Sequence, residues 1–170
     1  MLFRSDEDDT TRETITAIGD PKVKIIDTDW DQYRQEYHGQ INAIQTNIAL
    51  DACSGDWCFY LQADEVVHEK YLTVIENRCR ELLDDREVEG LLFRYKHFWG
   101  DYRHYHYSHG WYGREIRIVR NNIGVRSHLS AQSFKIDGRK LKVAPVEAEI
   151  YHYGWVRPPH LMQNKRRALE

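Results

Sequence analysis

The sequence predicts an α/β domain, a mixed sheet flanked by helices. Three observations carry this. Strand-like and helix-like segments alternate through the first half of the chain, which argues for a mainly parallel sheet. Short strand-like pieces follow one another in the second half, which argues for antiparallel pairing. The 170 residues are enough to bury one core, and no internal repeat, low-complexity tract or linker divides them.

Taken in order, Asp6-Glu7-Asp8-Asp9 is an acidic run. Thr10 and Glu13 have capping-box spacing, so a helix begins near Thr11 and ends by Gly19. Asp20-Pro21 is a turn. Val23–Ile26 alternates with lysines and then becomes apolar, which reads as a strand. Asp27–Gly39, polar and aromatic, reads as a loop with a turn of helix. Ile41, Ile44, Ile48 and Ala52 recur at helical spacing, and Ser54-Gly55 stops that helix. Trp57–Leu61 has the apolar, aromatic-rich pattern of a buried strand. Leu72, Ile75, Cys79, Leu82 and Leu83 form a second helical stripe. Val88–Phe98 is the next strand, with Leu91, Phe93 and Tyr95 on one side, and Ile116, Ile118 and Arg120 mark another. Shorter strand-like pieces lie at Ser133–Ile136, Lys140–Val143 and Ala148–Tyr153, and Pro158-Pro159 precedes a helix from His160. The chain opens on a helix cap with no strand before it and closes inside a helix, so it reads as an excised segment of a domain incomplete at both ends.

Composition excludes several classes. A net charge of −3 supplies no basic surface for nucleic acid. Three cysteines at unrelated spacings fit neither a disulfide framework nor a zinc site, so they read as free thiols of a reducing cytosol. No apolar run approaches the roughly 20 residues that span a bilayer, and no signal peptide is visible. The chain is rich in tyrosine (11), tryptophan (5) and histidine (9), and much of this excess lies between Tyr95 and Tyr112, the most unusual composition in the chain.

Chemistry points first to Gly55–Glu69. The apolar run Trp57–Leu61 ends abruptly in Gln62, Asp64 and Glu65, which places carboxylates at the C-terminal end of a strand. Ligands of open α/β sheets bind at that edge, and adjacent acids there are oxygen donors suited to a hard divalent cation. The plainer alternative is a strand-to-helix loop whose acids cap the following helix.

With these residues in view, the chain resembles the family 2 glycosyltransferases, which have the GT-A nucleotide-sugar-transferase fold. The likeness runs from about Ser5 to Lys165 and is strongest over Gln45–Glu65. There Asn47-Ile48-Ala49-Leu50, then Ala52-Cys53-Ser54-Gly55-Asp56, then the apolar strand, then Gln62-Ala63-Asp64-Glu65 follow the family's order and spacing. Gln62 stands where the first Asp of the Asp-x-Asp motif is expected, and Thr46 where an Arg is usual. An amide can hydrogen-bond a ribose hydroxyl but adds no charge beside a metal. Asp6, Asp8 and Thr10 resemble the tail of an acidic nucleotide-binding loop, with Asp8 and Thr10 matching. Ile150-Tyr151-His152-Tyr153-Gly154-Trp155 looks like a strand-end His-x-Gly segment in which the histidine supplies a further metal ligand. The alternative for His152 is a buried histidine satisfied by a backbone group.

The resemblance implies an inverting transfer of a sugar from a nucleoside-diphosphate donor to a glycan or lipid-linked acceptor, assisted by Mn²⁺ or Mg²⁺. It implies a nucleotide-sugar site at Asp8, Asn47, Gln62 and Asp64, and metal ligands at Asp64, Glu65 and His152. A catalytic base for the acceptor hydroxyl is expected at Glu115 or Asp101; an ion pair with Arg114 or Arg117 is the simpler task for Glu115, and a turn acid for Asp101. Trp99, Trp111 and Tyr112 suit an acceptor groove, since aromatic faces pack on sugar rings and polar tips supply hydrogen bonds. An aromatic flap or dimer contact is the alternative, and His104, His106 and His109 lack the usual spacing of a zinc site. Lys165, Arg166 and Arg167 are a solvated helix end or extra charge near the diphosphate. A cytoplasmic place is expected, with the inner membrane face and a homodimer left open. A different class of function also stands: a non-catalytic sugar- or nucleotide-binding remnant.

Overall fold

The computed structural model describes residues 10–29, 40–106, 111–131 and 133–156. Asp8 and its acidic run, His109, the helix expected from His160, and Lys165–Arg167 lie outside them.

The described residues form a mixed α/β structure. Helix α1 spans Thr11–Ala17 and α2 spans Ile41–Asp51. Strands β1 (Trp57–Phe59) and β2 (Glu65–Val67) follow, then a 3₁₀ turn at Glu69–Tyr71 that runs into α3 (Leu72–Glu81). Strands β3 (Gly90–Trp99) and β4 (Arg114–Arg120) precede β5 (Val125–His128), β6 (Ser133–Ile136), β7 (Arg139–Lys140) and the long β8 (Val143–Trp155). The main sheet has the order β1-β4-β3-β8-β2, and β5-β6-β7 form a smaller antiparallel sheet.

The expectation of a mainly parallel first half is corrected. Among the described residues only β3 and β8 pair in parallel; β1–β4, β3–β4 and β2–β8 are antiparallel. Two features of the sequence reading produced the error. Val23–Ile26 is not a strand: it leaves a turn in which Val23 N–H donates to the Asp20 carbonyl, and Val23, Ile25 and Ile26 are exposed. Trp57–Leu61 is not a buried central strand. β1 is three residues long, lies at the edge of the sheet, and buries only Cys58. Beyond it the Tyr60 N–H still reaches the Arg117 carbonyl, and the chain then turns, with Glu65 N–H donating to the Gln62 carbonyl.

That turn feeds β2, a strand the local pattern did not announce. Glu65 is therefore a strand residue opposite His152 rather than a helix cap. The helix start is capped by His68, whose Nδ1 accepts from the Lys70 N–H at 3.2 Å.

Two apolar clusters hold the layers together. Ile75 and Leu82 from the α3 segment pack on Leu91, Phe93, Tyr95, Val146, Ala148 and Ile150. On the other side, Cys58, Ile116 and Val119 meet Val125, Phe134 and Ile136 of the small sheet. Arg120 seals the end of α3. Its guanidinium donates to the carbonyls of Leu82, Leu83, Asp85 and Val88 and stacks 4.2 Å from the Trp57 ring. It thereby satisfies the C-cap carbonyl of Leu82 and three carbonyls of the loop that follows the helix. No described helix is long and apolar enough to cross a membrane.

Candidate functional site

The β1–β2 turn, the end of β3 and the end of β8 meet at one place. The antiparallel register sets Glu65 opposite His152, and the parallel register sets His97 beside His152. Asp64 precedes β2, and its carbonyl accepts from the Tyr153 N–H at 2.8 Å. These pairings bring Asp64 Oδ2 to 3.6 Å from His152 Nε2.

Gly154 closes this space. A Cβ built on it would lie 2.6 Å from His152 Nε2 and 2.7 Å from Asp64 Oδ2, so only a bare Cα leaves both atoms where they are. Glycine here serves close approach, not a special backbone angle.

Glu65 has another task than the one expected of it. Its carboxylate is buried, 1% exposed, and each oxygen accepts twice. Oε1 takes the Tyr95 hydroxyl at 2.6 Å and an Arg117 nitrogen at 2.8 Å. Oε2 takes Arg117 Nε at 3.0 Å and the Gln62 N–H at 3.1 Å. Four acceptor sites are the capacity of a carboxylate, so none remains for a metal. Burial works against the charge of Arg117, and the hydrogen bonds to Glu65 outweigh it and hold the guanidinium protonated. Glu65 is thus the peg that fixes the turn carrying Asp64.

Of the expected nucleotide contacts, Gln62 donates from its amide to the Tyr60 hydroxyl at 2.9 Å. Asn47 Oδ1 accepts from the Ser127 N–H at 2.8 Å, which ties α2 to β5. A cleft of about 450 Å³ runs beside α2 and the edge of β1, lined by Lys22, Lys24, Gln45 and Phe59 among others; Asp64 and His152 do not line it.

The expected bases separate clearly. Asp101 makes a turn, accepting from the Arg103 and His104 N–H groups and facing His104 Nδ1 at 2.8 Å. The Arg103 N–H and His104 hold its pKa down. Glu115 makes no ion pair with Arg114 or Arg117 among the described residues; the Arg117 fork belongs to Glu65. Burial pushes the Glu115 pKa up, with Arg117 opposing and Glu65 adding to it. Tyr112 stands near the same groups: burial raises its hydroxyl to about 12, with Glu65, Glu115 and Asp64 contributing and Arg117 opposing.

The aromatic residues converge beside the histidines. Trp99, 49% exposed, stacks on Trp155 with centroids 5.1 Å apart. Trp111 meets both edge-on, at 5.9 and 5.4 Å. Trp111 also lies 4.9 Å from the His97 ring, and Tyr112 is 4.5 Å from it.

Sequence reading passed over His97, Gly154, Trp155 and Arg117 as site residues. For His97 the signal was present, because it continues the inward alternation of Leu91, Phe93 and Tyr95. Burial presses its pKa down, and the residue is 3% exposed. Nothing local marks Arg117, whose acid lies 52 positions earlier. Comparison with protein-family models and with curated proteins returns no match, so the geometry of Asp64, His152 and Gly154 carries the functional reading.

Proposed function

We propose that this chain belongs to a metal-dependent, inverting glycosyltransferase with a GT-A-like fold. It moves a sugar from a nucleoside-diphosphate donor to a glycan or lipid-linked acceptor. The reading is carried by one observation: a carboxylate oxygen and an imidazole nitrogen, 3.6 Å apart, meet across the bare Cα of a glycine. Both atoms are metal-donor types, and the mixed oxygen–nitrogen pair suits Mn²⁺ better than Mg²⁺. Among the described residues no three such side chains converge. The described residues that would hold a divalent cation here are Asp64 and His152. When bound, it supplies charge neutralisation for the departing diphosphate.

The chain's own residues then divide the work. Asp64 and His152 would hold the cation, and Glu65 fixes the turn beneath Asp64. Trp99, Trp111 and Trp155 offer apolar faces to a sugar ring, with the Tyr112 hydroxyl among the nearby carboxylates. Glu115, rather than the turn acid Asp101, takes the proton of the acceptor hydroxyl. Its raised pKa fits a base, since proton transfer is most effective when pKa approaches the working pH.

Calorimetric titration with UDP and GDP tests the proposal. Nucleotide binding is expected to require Mn²⁺, and Asp64→Ala to remove that requirement together with measurable affinity. Metal-independent binding, or full affinity in Asp64→Ala, overturns it. In an active form, transfer is expected to rise with pH through the elevated Glu115 pKa and then level off. Below that pKa the base is protonated and idle. Glu115→Gln should abolish transfer and leave Mn²⁺ binding intact; retained transfer assigns the base elsewhere.

One observation favours a second reading, a sugar- or nucleotide-binding domain without catalysis. Gln62 occupies an acid's place and gives its amide to Tyr60, so it brings no negative charge to the cation. Sugar binding that needs neither nucleotide nor metal supports this reading in the same titration.

A further inference from the structure

We propose that His97 is a positioning residue that sets the tautomer of His152, so that a bare Nε2 faces Asp64. The consequence for metal binding rests on the site proposed above; the tautomer itself does not. Proton positions follow from what each partner can do. His97 Nε2 lies 2.9 Å from the Tyr112 carbonyl oxygen, which only accepts, so this nitrogen carries hydrogen. In the neutral ring Nδ1 then keeps its lone pair. His152 Nδ1 lies 3.0 Å from His97 Nδ1 and must donate to it. A neutral His152 with hydrogen on Nδ1 has its lone pair on Nε2, the atom 3.6 Å from Asp64 Oδ2. The relay runs from a backbone carbonyl through two buried rings to the mouth of the site.

The arrangement has a plain physical use. An isolated imidazole carries its proton on either nitrogen, and only one form can ligate through Nε2. A partner on the other nitrogen fixes that choice and the ring plane. Here the partner is a second histidine, itself fixed by backbone. Its ring packs against Trp111 at 4.9 Å and Tyr112 at 4.5 Å, which holds Nδ1 toward His152.

Long-range ¹H–¹⁵N correlation spectra of the metal-free protein, taken at a mildly alkaline pH where imidazole rings are neutral, read the tautomer directly. Hydrogen on His152 Nδ1 and none on Nε2 is expected in the wild type. His97→Phe keeps a ring but no acceptor, and is expected to give a tautomer mixture and Mn²⁺ binding weaker by about 10–100-fold. His97→Asn restores an acceptor near the same place and should return both readings close to wild type. Hydrogen on His152 Nε2 in the wild type overturns the proposal, as does unchanged Mn²⁺ affinity in His97→Phe. If the wild type binds no Mn²⁺, the metal reading falls, and the tautomer still decides the role of His97. If His97→Phe does not fold, the wild-type tautomer and the His97→Asn titration decide it.

Discussion

Replacing Arg117 with Met is expected to lower folding stability by about 3–5 kcal/mol, the usual cost of leaving a buried charge without its partner. Arg117 is 1% exposed, and its Nε and terminal nitrogen hold both oxygens of a Glu65 that water does not reach. Two hydrogen bonds to Glu65 survive the change, donated by the Tyr95 hydroxyl and the Gln62 N–H, but the positive charge does not. The guanidinium also lies 5.2 Å from the Tyr60 ring and 5.0 Å from the Tyr95 ring, contacts that a thioether keeps only in part. Urea unfolding measures the loss. Removing both charges tests whether the cause is the stranded carboxylate rather than lost volume. Glu65→Leu with Arg117→Met is expected to be more stable than Arg117→Met alone, because apolar pairs replace buried ion pairs at little net cost. The Tyr95 hydroxyl then loses its acceptor, so Tyr95→Phe should be added. A double change as damaging as the single one would show that packing, not charge, dominates. The same network bears on function. Arg117→Met frees the turn that carries Asp64, so Mn²⁺ affinity should fall along with stability.

This network also shows which parts of the fold local sequence could reveal. Helices α2 and α3 were legible because their apolar residues recur at a spacing any short window contains. Strand β6 was legible to the residue, since Ser133–Ile136 lies between turns and alternates cleanly. Strand direction was not, because a run such as Trp57–Phe59 reads the same whichever way its neighbour points. Its partner β4 begins more than 50 residues later, and only that pairing makes it an antiparallel edge. Strand β2 was hidden for the same reason. Glu65-Val66-Val67 is too short to announce itself, and β8, which makes it a strand, lies about 85 positions away. The candidate site divides along the same line. Asp64 and His152 stood out because each ends or lies within an apolar run. Glu65 looked like a ligand because adjacent acids look alike in sequence; burial and four hydrogen bonds set it apart. His97 sits in an aromatic, histidine-rich tract that masks it, although period-two alternation assigns it to the inward face.

Gly154→Ala is expected to disable the site while leaving the fold standing. The added methyl would meet His152 Nε2 at 2.6 Å and Asp64 Oδ2 at 2.7 Å, and the next atom, His152 Cε1, at 3.0 Å. All three are side-chain atoms, so the clash can be relieved by turning the imidazole and the carboxylate apart without moving backbone. Such relief costs on the order of 1 kcal/mol for side chains driven off their preferred rotamers, and about 1 kcal/mol more where turning the ring breaks its hydrogen bond to His97. It costs the donor pair its geometry, because the methyl occupies the space the two atoms face. Mn²⁺ affinity should therefore fall by at least the 10–100-fold typical of disturbing a ligand's supporting contacts. Urea unfolding and calorimetric Mn²⁺ titration on the same sample separate the two effects. The contrast with Arg117→Met is the informative part. One variant loses stability and binding together, through the turn beneath Asp64; the other loses binding with the larger part of the stability kept. A Gly154→Ala protein that binds Mn²⁺ as the wild type does would place the cation away from Asp64 and His152. A large loss of stability would mean that the backbone, and not the two donors, gives way to the methyl.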